Sequence, residues 1–159
     1  MALSSTTLAD ALQNLGEPSS PATAADAWFE AWWKYASQMS FFTDLTLGPA
    51  KIAAKPLFVA ALLVALTPSS AATPFLTAWE AAQRAVWGAL GSVAFLPTYS
   101  LCTPAPSPLA GLLEQVRGVG LGAKERDVPA KLFASITDTW TQLFTATPVA
   151  PPNTPVLFV

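Results

Sequence analysis

Residues 23–39 read TAADAWFEAWWKYASQM, and the spacing of their apolar side chains decides how the rest of the chain is read. Ala24, Trp28, Ala31, Trp32, Tyr35 and Met39 recur at intervals of three and four, which puts small and very large side chains on one stripe of an α-helix. Thr23 is the expected N-cap, and Asp26 falls in the first turn, where a carboxylate suits the positive end of the helix dipole. Phe29 and Trp33 lie off that stripe, so the helix is apolar over more than half its circumference. Such a helix must be wrapped by its own fold or covered by another chain.

The chain around it has 159 residues, enough for one domain with a real core. Hydrophobic residues make up 52% and charged residues 11%, against about 25% charged in an ordinary globular domain. Eight basic and ten acidic residues give a net charge of −2, without the basic stripe that nucleic-acid binding requires. A protein so short of surface charge fits a large assembly whose members cover one another, with a membrane protein as the rival.

The longest uncharged apolar run, PLFVAALLVAL at 56–66, follows Lys51 and Lys55 and falls well short of the roughly 20 residues a span needs. It reads as a buried core helix. The first residues, MALSSTTLADAL, carry neither a basic region nor a continuous apolar run, so no signal peptide is expected. One cysteine, Cys102, and no histidine leave no intrachain disulfide, no zinc site and no histidine-based triad.

Other helices are expected at Ser4–Leu15, stopped by Gly16, and at 50–66, where Pro56 kinks the helix or marks its start. A fourth is expected at 74–90, with Phe75, Trp79, Ala82, Val86 and Leu90 inside and the pair Glu80–Arg84 outside. The segment 91–107, rich in proline and including the β-leaning VAFLPTYSL, reads as an extended arm. A short helix at 108–116 and a glycine hinge at 118–122 precede the last helix, 129–144, which Asp127 caps and whose Leu132, Phe133, Ile136, Trp140 and Phe144 are available to pack. Residues 145–159 form a second proline-rich arm with the apolar run PVLFV.

None of the candidate chemistry outweighs packing. GVGLG at 118–122, near Lys124 and Arg126, misses the G-x-G-x-x-G spacing of a phosphate loop and reads as a linker. Asp26 and Glu30 share a helix face, but as a solvated pair rather than an acid–base dyad. Cys102 has no histidine to activate it. Trp28, Trp32, Trp33, Trp79, Trp87 and Trp140 lack basic partners for base stacking, so they read as core residues and, in part, as anchors between chains.

One pattern reaches beyond composition. AADAWFEAWWKYASQM is followed by the Ala/Leu-rich AALLVAL, by PFLTAWEAAQRAVWGAL, and by ITDTWTQLFTATPVAPPNTPV. In this order they resemble a group of small Ala/Pro-rich helical proteins encoded among the structural genes of tailed bacteriophages. The long loop 98–108 and the many tryptophans depart from that pattern. The resemblance implies a virion component, of the tail or baseplate or of the neck or head, assembled in the host cytoplasm.

The expectation is therefore an all-α single domain of about five helices at 1–144, with an extended loop and a C-terminal arm at 145–159. It is a structural protein, not an enzyme, with no cofactor or metal. Its partners are other structural proteins of the particle and copies of itself, rather than nucleic acid or membrane. The expected interface residues are the six tryptophans together with Pro155, Val156, Leu157, Phe158 and Val159, and both arms lie on neighbouring subunits. A membrane-associated hairpin of 56–66 and 74–90 is the alternative, opposed by Glu80 and Arg84 in mid-segment.

Overall fold

In the computed structural model, which describes residues 3–39, 42–66, 72–93, 99–103, 127–148 and 155–157, the tryptophan-rich stretch is the central helix of an all-α domain. Five helices are described: α1 (Ser5–Gln13), α2 (Pro21–Ala36), α3 (Asp44–Leu63), α4 (Ala72–Val93) and α5 (Asp127–Thr141). Three short strands accompany them, β1 (Tyr99–Thr103), β2 (Thr145–Pro148) and β3 (Val156–Leu157). The expected short helix at 108–116 and the glycine hinge at 118–122 lie outside the described residues.

Helix α2 starts earlier than its apolar pattern suggests. Ser20, not Thr23, is the N-cap: its Oγ accepts the Thr23 amide at 3.2 Å, and Pro21 occupies the first helical position. Proline is favoured there because its missing N–H has no intrahelical partner to lose. The broad apolar circumference is wrapped from within the chain. Helix α1, with Leu8 and Leu12 buried, packs against both α2 and α5, and α3 packs alongside α2. Helices α4 and α5 meet it through side chains, with Trp28 edge-on to Trp79 at 5.4 Å and to Phe133 at 5.7 Å. Trp32 stacks on Phe58 at 5.0 Å and meets Trp87 edge-on at 5.4 Å. Each favourable ring pair adds about 0.5–1.5 kcal/mol beyond the area it buries.

Buried polar groups fix the register between helices. Trp32 Nε1 donates to Gln83 Oε1 of α4 at 3.3 Å, and Trp79 Nε1 donates to Thr137 Oγ1 of α5 at 3.2 Å. The Tyr35 hydroxyl donates to Asp138 Oδ1 at 2.8 Å. Sliding any of these helices by one turn strands a buried donor, which costs about 1–3 kcal/mol. Glu80 and Arg84 do form their i,i+4 pair, Oε1 to Nε at 2.7 Å, but not on an open face. Glu80 is only 17% exposed, and the Arg84 guanidinium lies over the Trp140 ring at 5.3 Å.

Helix α3 departs most from expectation. It begins at Asp44, six residues early, and runs through Pro49 and Pro56 without a break. Thr43 starts it with a capping box in which Thr46 replaces the usual glutamate: Thr43 Oγ1 accepts the Thr46 amide at 3.3 Å, and Thr46 Oγ1 accepts the Thr43 amide at 2.9 Å. A proline inside a helix frees the carbonyl four residues back, here those of Leu45 and Ile52. Leu45, Pro49, Ile52 and Pro56 are all exposed, so water reaches the freed carbonyls and the helix continues.

The two proline-rich arms meet each other. Strand β1 from the first pairs antiparallel with β2 from the second, with Cys102 opposite Ala146, and β2 pairs antiparallel with β3. Phe144 and Ala146 are buried in the core, and β1 packs on α4. Residues 145–148 and 156–157 therefore join the body of their own domain through main-chain bonding. Extended backbone carries an unpaired donor and acceptor at almost every residue, and pairing the two arms satisfies them.

Candidate functional site

Packed rings fill the core among the described residues, and an unusual surface lies on α3. Ala50, Ala54, Phe58 and Leu62 form its inward stripe, and the opposite side carries large apolar residues into solvent. On that side Leu45 is 88% exposed and Ile52 77%; Val64, the C-cap residue, is 79% exposed but lies off this row. Single exposed aliphatics are ordinary, whereas a row of apolar residues along one exposed helix face is not. The 56–66 run expected to be a buried core helix thus contributes one buried stripe and one bare one.

A shallow groove of about 520 Å³ runs beside this row, between α2 and α3. Ile52, Pro56 and Val59 form its apolar floor and edge, and four charges line the other wall. Asp26 and Glu30 sit one turn apart on α2, facing Lys51 and Lys55 one turn apart on α3. Lys51 Nζ reaches Glu30 Oε2 at 2.7 Å; Lys55 Nζ reaches Asp26 Oδ2 at 3.0 Å and Glu30 Oε1 at 3.6 Å. Because 26 pairs with 55 and 30 with 51, the two helices run antiparallel. The hydrogen bond to Asp26, helped by the charges of Asp26 and Glu30, holds the Lys55 ammonium above its ordinary pKa. All four side chains stay substantially exposed, so the quartet is worth little in stability.

Tyr35 carries the other shifted group. Burial pushes its phenol far above the ordinary range, and the Asp138 carboxylate adds to the effect. The hydroxyl therefore stays a neutral donor, a packing role rather than that of an acid or base. Among the described residues no group of three or more His, Cys, Asp or Glu side chains is placed to hold a metal ion.

The interface expected at the tryptophans needs correction. Trp32, Trp33, Trp79, Trp87 and Trp140 are buried within the chain and Trp28 is half-buried, so their surface is spent on this chain's own core. The reason is geometric: α2 reaches each of the other described helices and needs rings on nearly all sides to fill the gaps. Of the expected terminal contacts, Pro155 is exposed and Val156 and Leu157 form β3, while Phe158 and Val159 lie outside the described residues. The expectation of a helix starting at 50 leaves Leu45 outside it, and that of a buried core helix at 56–66 gives no hint that Val64 is exposed. No family model matches the chain, and no curated protein or solved structure is similar to it.

Proposed function

We propose that this chain is a structural, non-enzymatic subunit of a large particle, made to be covered by neighbouring subunits. The observation that carries this reading is the bare apolar row on α3, on a chain with only 11% charged residues. Water tolerates such a row poorly, whereas a neighbour that covers it gains about 25 cal/mol for each Å² of apolar surface buried. The interlocked rings of α2, α3 and α4 support a rigid block suited to packing against neighbours. The particle type comes from the sequence resemblance: a tailed-bacteriophage virion, in its tail or baseplate or in its neck or head, assembled in the host cytoplasm. Its partners are other structural proteins of that particle and copies of itself. Mass spectrometry of particles purified from lysate tests this directly. The chain is expected there at a fixed ratio to the major structural proteins; recovery only in the particle-free fraction overturns the proposal.

A second reading has one observation in its favour. Helix α3 is long and apolar enough to cross a membrane, and only 22% of it is buried. Against it stand Asp44, Lys51 and Lys55 within the helix, the lysines ion-paired to α2. Lipid would strip water from those pairs at a cost of several kcal/mol per ion. Flotation of the purified chain with lipid vesicles separates the two readings, since only a membrane protein rises with the lipid.

A further inference from the structure

We infer that the outer face of α3 seats against the same face of a second, antiparallel copy of this chain. The inference rests on the assembly reading and names the partner for the surface that carries it. Leu45, Pro49, Ile52, Pro56, Val59 and Leu63 succeed one another at steps of four, three, four, three and four. This alternation keeps one line of side chains facing a partner helix in a two-helix seam. The first four are exposed and the last two half-buried, and none is charged. The seam runs nearly the whole length of a 20-residue helix, about 30 Å.

The seam complements itself. In an antiparallel pair centred on Ala54, Ile52 lies against the second copy's Pro56, Pro49 against its Val59, and Leu45 against its Leu63. Proline rings thus meet branched aliphatic chains near the centre, and leucine meets leucine at the ends. The charges beside the seam point to the same occupant. Asp26 and Glu30 against Lys51 and Lys55 make a patch of two negative and two positive groups, with no excess of either sign. A two-fold pair brings this patch onto its own copy, where opposite signs can alternate. An anionic lipid surface or a polyanion would instead call for surplus cations.

Area sets the strength. A strip about 30 Å long and about 10 Å wide offers on the order of 300 Å² per copy before the flanking rows are counted. Two copies thus reach about 600 Å², below the roughly 1,000 Å² of a stable interface. The pair is therefore weak in free solution and becomes firm where a particle holds many copies close together.

Sedimentation velocity of the full chain from about 10 μM to 1 mM tests this, a range that spans weak self-association. The sedimentation coefficient is expected to rise with concentration, and Ile52→Lys is expected to weaken association at least tenfold with the circular-dichroism spectrum unchanged. A chain that stays monomeric throughout, or that associates equally well as Ile52→Lys, overturns the inference. So does flotation with neutral or anionic vesicles that Ile52→Lys abolishes, because lipid would then be the occupant. Particle composition is scored separately. Presence in the particle without α3 pairing refutes this inference alone, whereas pairing by a chain absent from every particle refutes the assembly reading.

Discussion

Changing Trp32 to Phe removes a single buried N–H and part of a ring, and the consequence can be worked out from Gln83. Gln83 is fully buried; its Oε1 accepts from Trp32 Nε1 at 3.3 Å, and its Nε2 has no partner. An indole N–H can only donate, so the amide must present its oxygen to Trp32 and leave its nitrogen stranded. Trp32→Phe then strands the oxygen too, costing about 1–3 kcal/mol. The void left by the lost ring adds about 1 kcal/mol at roughly 24 cal/mol per Å³. The total, about 2–4 kcal/mol, lowers the unfolding midpoint by about 4–16 °C for a chain of this size.

The same arithmetic says what a second change restores. Gln83→Leu in the Trp32→Phe background removes both stranded amide atoms and leaves an apolar core. The double variant should be about 1–3 kcal/mol more stable than Trp32→Phe alone. Urea unfolding at neutral pH, followed by far-ultraviolet circular dichroism with equal denaturant slopes, closes the cycle. Effects that add to within about 0.5 kcal/mol would show that the two residues do not depend on each other, and the register argument for α2 and α4 would fail.

Three further outcomes can be checked alongside. Tyr35 has its folded pKa raised by burial, so its contribution is whole below the unfolded value of about 10 and is lost as pH climbs above it; Tyr35→Phe should flatten that alkaline decline while costing about 1–3 kcal/mol at pH 7, read from urea midpoints across pH. Glu30→Gln breaks contacts to both Lys51 and Lys55, yet with these groups so exposed it should shift stability by less than about 1 kcal/mol, and added salt should shrink the shift further; a larger effect would mean that the quartet is shielded from water. Removing residues 149–159 takes away β3 but leaves Phe144 and Ala146 seated, so helical circular dichroism and cooperative unfolding should persist; a broad, non-cooperative transition would show that the segment holds the core together.

What could be read from the sequence followed from where the cause of each feature lies. The stripe Ala24–Trp28–Ala31–Trp32–Tyr35 is a local, periodic signal, and it located both the central helix and its inward side. It could not say whether the wrapping came from this chain or another, because that depends on where α1, α3, α4 and α5 come to rest. The tryptophans were accordingly offered to a partner although their own fold consumes them. The start of α3 was missed for the opposite reason. Gly48-Pro49 is a strong local signal for a break, but its cost falls away when the freed carbonyl of Leu45 faces water, which only the tertiary placement decides. That placement also turns Leu45 and Ile52 outward, so the exposed apolar face depends on the same tertiary arrangement as the helix boundary. The pairing of β1 with β2 joins residues more than forty positions apart, and no periodicity within either proline-rich segment reports it. Where a signal spans one helical turn the sequence speaks for itself; where it depends on which face meets water, only the assembled helices decide. The row on α3 is legible once they are in place, since only then do its prolines, Leu45 and Ile52 stand together on one uncharged, exposed side.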